Sequence, residues 1–349
     1  MRSAAATAAA GARRAAGMCV GRATPSPSRQ RRPCTTAQAV PPRHGGDPFA
    51  AGPAALLERP AGPTVDAPLW ATGAFAGEVY PDLPVAATWR GALRAATGGL
   101  LDNSVDDATG DPARPASLIR TVAAQARGRG AVRDRLRAAA GWGAGGGAVP
   151  DALLLLAGGH PARSLWAPMG AVGMLQEAAS MRAAGELPPS LALWAVVNPL
   201  TEPPARAAAK VDAGATVIVT QPPLLWPRWE AWWKGVADAG LPGAARVVAG
   251  VALPPTPNAL RFWLALAGAT SLDGAAATVA AFEAAAAQGA AARAAHARAA
   301  AASTLASLAS LGPALAGIHV MPVTAGGRAL ARELVDGGGL EPWARRTGG

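Results

Sequence analysis

The sequence predicts an α/β fold of the (β/α)8 TIM-type barrel class, and three observations carry that prediction. From about residue 70 onward, short aliphatic or β-branched runs alternate with helical stretches, the order that builds parallel sheet through βα units. Several of these runs, DALLLLAGG (151–159) above all, are continuously apolar, as strands buried on both faces must be. Seven or eight such units in about 270 residues suit a closed barrel better than an open doubly wound sheet.

The first 46 residues stand apart from this pattern. They contain no Asp or Glu and carry eight arginines, at 2, 13, 14, 22, 29, 31, 32 and 43. The formal net charge is +10, and without those eight arginines it is about +2, ordinary for an enzyme and no footprint of nucleic-acid binding. An acid-free leader rich in Arg, Ser, Thr and Ala has the composition of an organelle transit peptide, with the chloroplast ahead of the mitochondrion. Both cysteines, Cys19 and Cys34, lie in it. The remainder therefore has no thiol for a disulfide, a Cys-based zinc site or a Cys nucleophile. No apolar run reaches membrane-spanning length. Residues 47–68 are rich in Pro and Gly and read as a linker or arm, leaving 69–345 as one barrel domain.

Within that domain the elements follow in order. ATGAFAGEVYP (71–81) reads as a strand ending at a proline, and GGLLDNSV (98–105) as the next strand. ASLIRTVAAQARGRG (116–130) and VRDRLRAAAGW (132–142) both read as helices. The strand 151–159 follows, then a helix over 170–186 and a strand over 190–199 stopped by Asn-Pro. The stretch 203–214 has Pro at its start and Gly at its end, the asymmetry expected of a helix. ATVIVTQPP (215–223) and ARVVAGVALPP (245–255) are strands, with helices over 226–240 and 258–268. The Ala-rich run 274–309, interrupted by Glu283, Gln288, Arg293, His296 and Arg298, reads as a soluble helix or helix pair. LAGIHVMPV (315–323) closes the sheet and 326–339 is the final helix. Two successive helices across RGRGAVRDR leave the barrel one strand short near 130–132, which implies unpaired edges.

In a barrel of this class chemistry sits at the strand C-termini. Glu78 falls there, flanked by Val79, Tyr80 and Pro81. A partly desolvated carboxyl suits a general acid, while a solvated strand-end glutamate is the plain alternative. Lys210 is one of only two lysines in a chain that otherwise uses arginine. Its compact charge suits a phosphate, or it caps its helix. Arg206, four residues earlier, shares that helix face. Gln221 ends an apolar strand, and its amide suits the edge of a heterocycle or the backbone of its own loop. Asn198, Gly159, His160 and His319 also lie at strand ends. Single histidines without cysteines or paired carboxylates give no metal site. GWGAGG (141–146) follows a helix and precedes a strand, the wrong order for a dinucleotide fingerprint. The tryptophans at 226, 229, 232 and 233 fall at helical spacing, as core packing requires.

KVDAGATVIVTQPP (210–223) resembles the K-V-x-A-G-A-x-x-x-x-T-Q signature of the methylenetetrahydrofolate reductases and their flavin-linked relatives. GEVYP is similar to that family's first-strand E-x-x-P motif, VRDRLRAAAGW to its R-D-R-N helix and DALLLLAGGHP to its L-x-G-D-x-P strand. The resemblance runs in one register over roughly 70–345. It implies FAD at the strand C-termini, with hydride passing from NAD(P)H through flavin to 5,10-methylenetetrahydrofolate. By the same resemblance Glu78 is the general acid and Gln221 holds the folate-type substrate. Lys210 and Asn198 lie along the cofactor, and Gly159 stands where the family's flavin-contacting acid does; Arg206, on the helix face of Lys210, and His160, at the strand end beside Gly159, are assigned to the cofactor with them. The chain departs from the pattern at Gly159, where the family has an acid, at Leu136, and at Pro222-Pro223. With the strand shortfall, these departures keep a second reading open: a catalytically degenerate barrel serving as a binding or scaffold subunit. Whether the chain works as a homo-oligomer or with a partner subunit is likewise open.

Overall fold

Eight parallel strands close on themselves in strict chain order, β1 pairing with β2 on one side and β8 on the other. They are β1 (Ala54–Glu58), β2 (Gly77–Tyr80), β3 (Ser117–Ala123), β4 (Ala152–Leu156), β5 (Ala192–Val197), β6 (Val217–Thr220), β7 (Arg246–Ala252) and β8 (Gly317–Met321). The computed structural model describes residues 47–59, 69–81, 117–124, 128–141, 149–157 and 169–344. All of these belong to one unit, Val40–Gly349. The leader, the stretch 98–105, Gly159 and His160 lie outside the described residues.

No strand is missing, and two stretches are corrected. β3 lies inside the segment 116–130, expected to be helical. Ser117-Leu118-Ile119-Arg120-Thr121-Val122-Ala123 pairs with β2 and β4 along its length. Its β-branched Ile119, Thr121 and Val122 fit a pleated, two-sided environment, and this pairing overrides the helical weight of the neighbouring alanines and arginines. β1 lies inside 47–68, the expected linker. AALLE forms a buried strand because β2 and β8 both hydrogen-bond to it. The barrel therefore begins before residue 69.

Around the barrel, the described helices are α1 (Gly128–Ala139), α2 (Ala171–Ala183), α3 (Pro204–Asp212), α4 (Trp226–Asp238), α5 (Leu241–Ala244), α6 (Pro257–Leu266), α7 (Ala275–Ala287), α8 (Ala290–Ala309) and α9 (Ala325–Asp336). The Ala-rich run is thus a helix pair, broken at Gln288-Gly289. The starts of α6 and α9 are set by Thr256 and Thr324, whose hydroxyls accept from the Ala259 and Gly327 amides, the usual N-cap bond. Strand alternation divides the core in two. Leu56, Ile119, Leu154, Trp194, Val217, Val219 and Val248 fill the barrel interior, whereas Leu57, Leu153, Leu193, Ile218 and Val247 pack outward against the helices. Phe49, 5.8 Å from Trp194, floors the barrel, and the Arg246 guanidinium lies over its ring and bonds to Asp47.

Candidate functional site: the C-terminal mouth of the barrel

All eight strands run the same way, so their C-terminal ends form a single mouth. Register decides which side chains enter it. Leu56 faces inward and stands opposite Gly77 and His319. Two residues further along β1, Glu58 therefore faces inward as well, one layer nearer the mouth. His319 Nε2 lies 3.4 Å from Glu58 Oε2, an approach without hydrogen-bond geometry. Burial pushes the Glu58 carboxyl up to about 7 and the His319 imidazole down to about 3. Each charged form would lose its water here, so both groups favour neutrality. Gly250 stands beside His319 on β7. A Cβ there would lie 2.3 Å from the Thr220 carbonyl oxygen and 2.9 Å from Met321 Cε, so glycine is what lets β6 and Met321 close in at this level.

Gln221 extends β6 by one residue, its amide donating to the Val197 carbonyl. Thr220 faces outward, accepting from Trp229 Nε1 and from the Gly250 amide, so Gln221 returns to the inward register. Its side-chain oxygen Oε1 is buried and has no hydrogen-bond partner among the described residues.

The other expected site residues are placed differently. Glu78 is on the second strand, not the first, and pairs in register with the outward Leu57. Tyr80 donates to its Oε2 at 3.3 Å, and Arg59 in turn bonds to the Tyr80 hydroxyl. The carboxyl that ends the first strand and faces the barrel is Glu58. Lys210 is buried, its ammonium donating to the Val196 carbonyl at 2.6 Å and to Glu202 at 2.9 Å. It pins the β5–α3 turn. Asn198 donates to the Ala267 carbonyl and accepts from the Leu200 amide, so its amide is also spent on backbone. Arg206 is exposed while Lys210 is buried. The two do not form a shared anion grip. The described residues assigned to FAD therefore do not fit that cofactor: the cation meant for its phosphates is already neutralised by Glu202.

No protein-family model matches the chain, and no curated protein matches it in sequence. Solved structures do match. One is an uncharacterized protein from Clostridium thermocellum that binds two copies of 5-methyl-5,6,7,8-tetrahydrofolic acid. It aligns with a TM-score of 0.51 at 13% identity, over 82% of this chain and 96% of its own. The likeness is one of fold. It spans nearly the whole clostridial chain, so the two share a complete barrel and not a local motif.

Among the described residues, no cluster of three or more His, Cys, Asp or Glu is arranged to hold a metal ion. Nor is any described helix long and apolar enough to cross a membrane. Sequence reasoning missed Glu58 because it sits in the stretch taken for a linker. The available signal was the short apolar run ALL immediately before it. The tryptophans behave as expected of a core: Trp229 is fully buried, stacked on Trp226 at 5.5 Å and on Trp233 at 5.8 Å.

Proposed function

We propose that the barrel mouth binds a reduced folate, with Glu58 as the ionisable group that meets the pterin ring and Gln221 as a second polar contact. The observation that carries this reading is the inward Glu58 carboxyl at the end of β1, its side chain 13% exposed, with burial raising its pKa to about 7. A group in that state can donate to a ring nitrogen or accept from an amino group. Gln221 Oε1 supports it, since a buried acceptor without a partner is costly until a ligand donor reaches it. The folate-binding clostridial barrel of the same fold supports the choice of ligand class.

Calorimetric titration with 5-methyltetrahydrofolate tests the reading. Wild-type protein binds, while Glu58→Gln and Gln221→Ala each weaken binding by about tenfold or more, the loss of one good polar contact. Wild-type protein that takes up no folate in this titration rules the reading out.

Reductase chemistry is the second reading, favoured by the complete eight-stranded barrel and by a first-strand acid poised to protonate a ring nitrogen. It requires hydride from NAD(P)H by way of FAD. Because Lys210, Asn198 and Arg206 do not fit the flavin, we derive no step through it. The visible absorption of the protein after incubation with FAD separates the two readings: a colourless protein that binds folate supports a binding barrel, and a bound-flavin spectrum supports the reductase.

A further inference from the structure

Glu58 and His319 meet diagonally across the β1–β8 seam, where the closing strand joins the first. His319 stands level with Leu56 and Gly250, and Glu58 level with Val79 and, by extension of the register, with Met321. The wall around them is therefore apolar or lacks a side chain. His319 is 3% exposed and the Glu58 side chain 13%. The inner face of the described strands carries one other ionisable group, Arg246, and it is engaged with Asp47 at the barrel floor. Arg59, next to Glu58 in the chain, bonds to Tyr80, which lies on the outward register of β2 with Glu78. No other described charge faces the pair from β2, β7 or β8.

Two full charges buried at this point would both lose hydration, and their attraction repays that only with further hydrogen bonds. His319 Nε2 has none among the described residues. A neutral carboxyl beside a neutral imidazole avoids the loss and leaves one proton between them.

We propose that His319 is a positioning residue for Glu58: the two form a unit that holds a single proton, and the imidazole props the carboxyl toward the mouth. This rests on the reading that Glu58 meets the ligand. Burial alone accounts for both shifts, and it favours a proton on the carboxyl beside a neutral imidazole at mildly acid pH. The deeper histidine then does not compete for ligand. It packs beneath the carboxyl at 3.4 Å and so sets where the carboxyl points.

Nuclear magnetic resonance on the full chain tests the unit without any ligand. The carboxyl ¹³C of Glu58 and the imidazole ¹⁵N of His319 are followed from about pH 4 to about pH 9 in wild type, His319→Gln and His319→Leu. The imidazole shifts should track the Glu58 titration with a common midpoint. His319→Leu should move that midpoint by about one pH unit or more, and His319→Gln, which keeps a polar partner, by less. A Glu58 midpoint identical in all three proteins, or a His319 that titrates by itself at the value of a free imidazole, overturns the proposal. If His319→Leu does not fold, the wild-type shifts and His319→Gln still decide. A coupled pair in a protein that takes up no 5-methyltetrahydrofolate supports the unit and removes the folate reading alone.

Discussion

Glu58 and His319 make opposite contributions to stability as pH changes, and together they set a plateau. The ordinary values are 4.5 for the carboxyl and 6.5 for the imidazole, against about 7 and about 3 in the folded barrel. Between 4.5 and 6.5 the pair holds one proton in both states, on the imidazole when unfolded and on the carboxyl when folded, so no slope arises. Below 4.5 the unfolded chain takes up a second proton that the folded chain refuses down to about 3, and stability is lost as pH falls. From 6.5 to about 7 the folded chain holds a proton that the unfolded chain lacks, and stability falls as pH rises. Glu58→Gln removes the carboxyl's share, so the acid-side loss should begin near 6.5 instead of 4.5. Urea midpoints measured across that range check this, and an unchanged onset would mean that His319 is charged in the fold. Lys210 belongs to the same scale. Lys210→Ala removes the ammonium bonds to the Val196 carbonyl and Glu202 and should cost about 1–3 kcal/mol in thermal unfolding, while leaving 5-methyltetrahydrofolate affinity unchanged in calorimetry. A loss of ligand affinity at unchanged stability would restore the lysine to the site. That a rare lysine mattered was legible in the sequence. What it touched was not, because Glu202 and Val196 reach it only once the β5–α3 turn has folded back.

Among the elements, α4 is the one that couples the outer layer to the mouth. Trp229 stacks between Trp226 and Trp233 and donates to Thr220 Oγ1, and Thr220 also holds the Gly250 amide of β7. Trp229→Ala should cost about 3–5 kcal/mol, the range for a fully buried large aromatic, read as a lower urea midpoint. The mouth should also loosen, seen as faster amide exchange at Gly250. Most elements were legible because their periods are strong: the apolar runs of β4 to β8 and the capped or Pro-started helices between them stood where expected. β1 and β3 were not. Five residues of AALLE carry no alternation to distinguish strand from helix or loop, and β3 is followed at once by alanines and arginines that favour helix. Each owes its strand state to neighbours distant in sequence, β8 for β1 and β4 for β3. Outside the barrel, Arg129 and Arg133 of α1 pair with the buried Glu177 of α2, and Arg133 and Arg137 pair with Glu186 in the turn that follows α2. The resemblance to an R-D-R-N helix had marked that arginine-rich segment without saying what the arginines meet.

The whole molecule depends on closing the β1–β8 seam, and Gly317 is where closure is tightest. A Cβ there would sit 2.1 Å from the Ala54 carbonyl oxygen. Gly317→Ala should therefore cost about 3 kcal/mol, the upper end for forcing extra atoms into a packed site, measured by urea unfolding. Because the Glu58–His319 pair spans the same seam, its coupled titration should weaken in parallel. For the leader we propose chloroplast targeting, which import of residues 1–46 fused to a fluorescent reporter tests directly. The sequence by itself determined the class of fold and the order of most elements, since these follow from local hydrophobic period and from the fixed direction of parallel strands. It also marked Gln221. Only the tertiary structure decided which acid faces the mouth. Glu58 and Glu78 are both short-strand glutamates beside apolar residues, and nothing local separates them. The inward or outward choice is set by register against β8 and β3, that is, by hydrogen bonds between segments that meet only when the barrel closes.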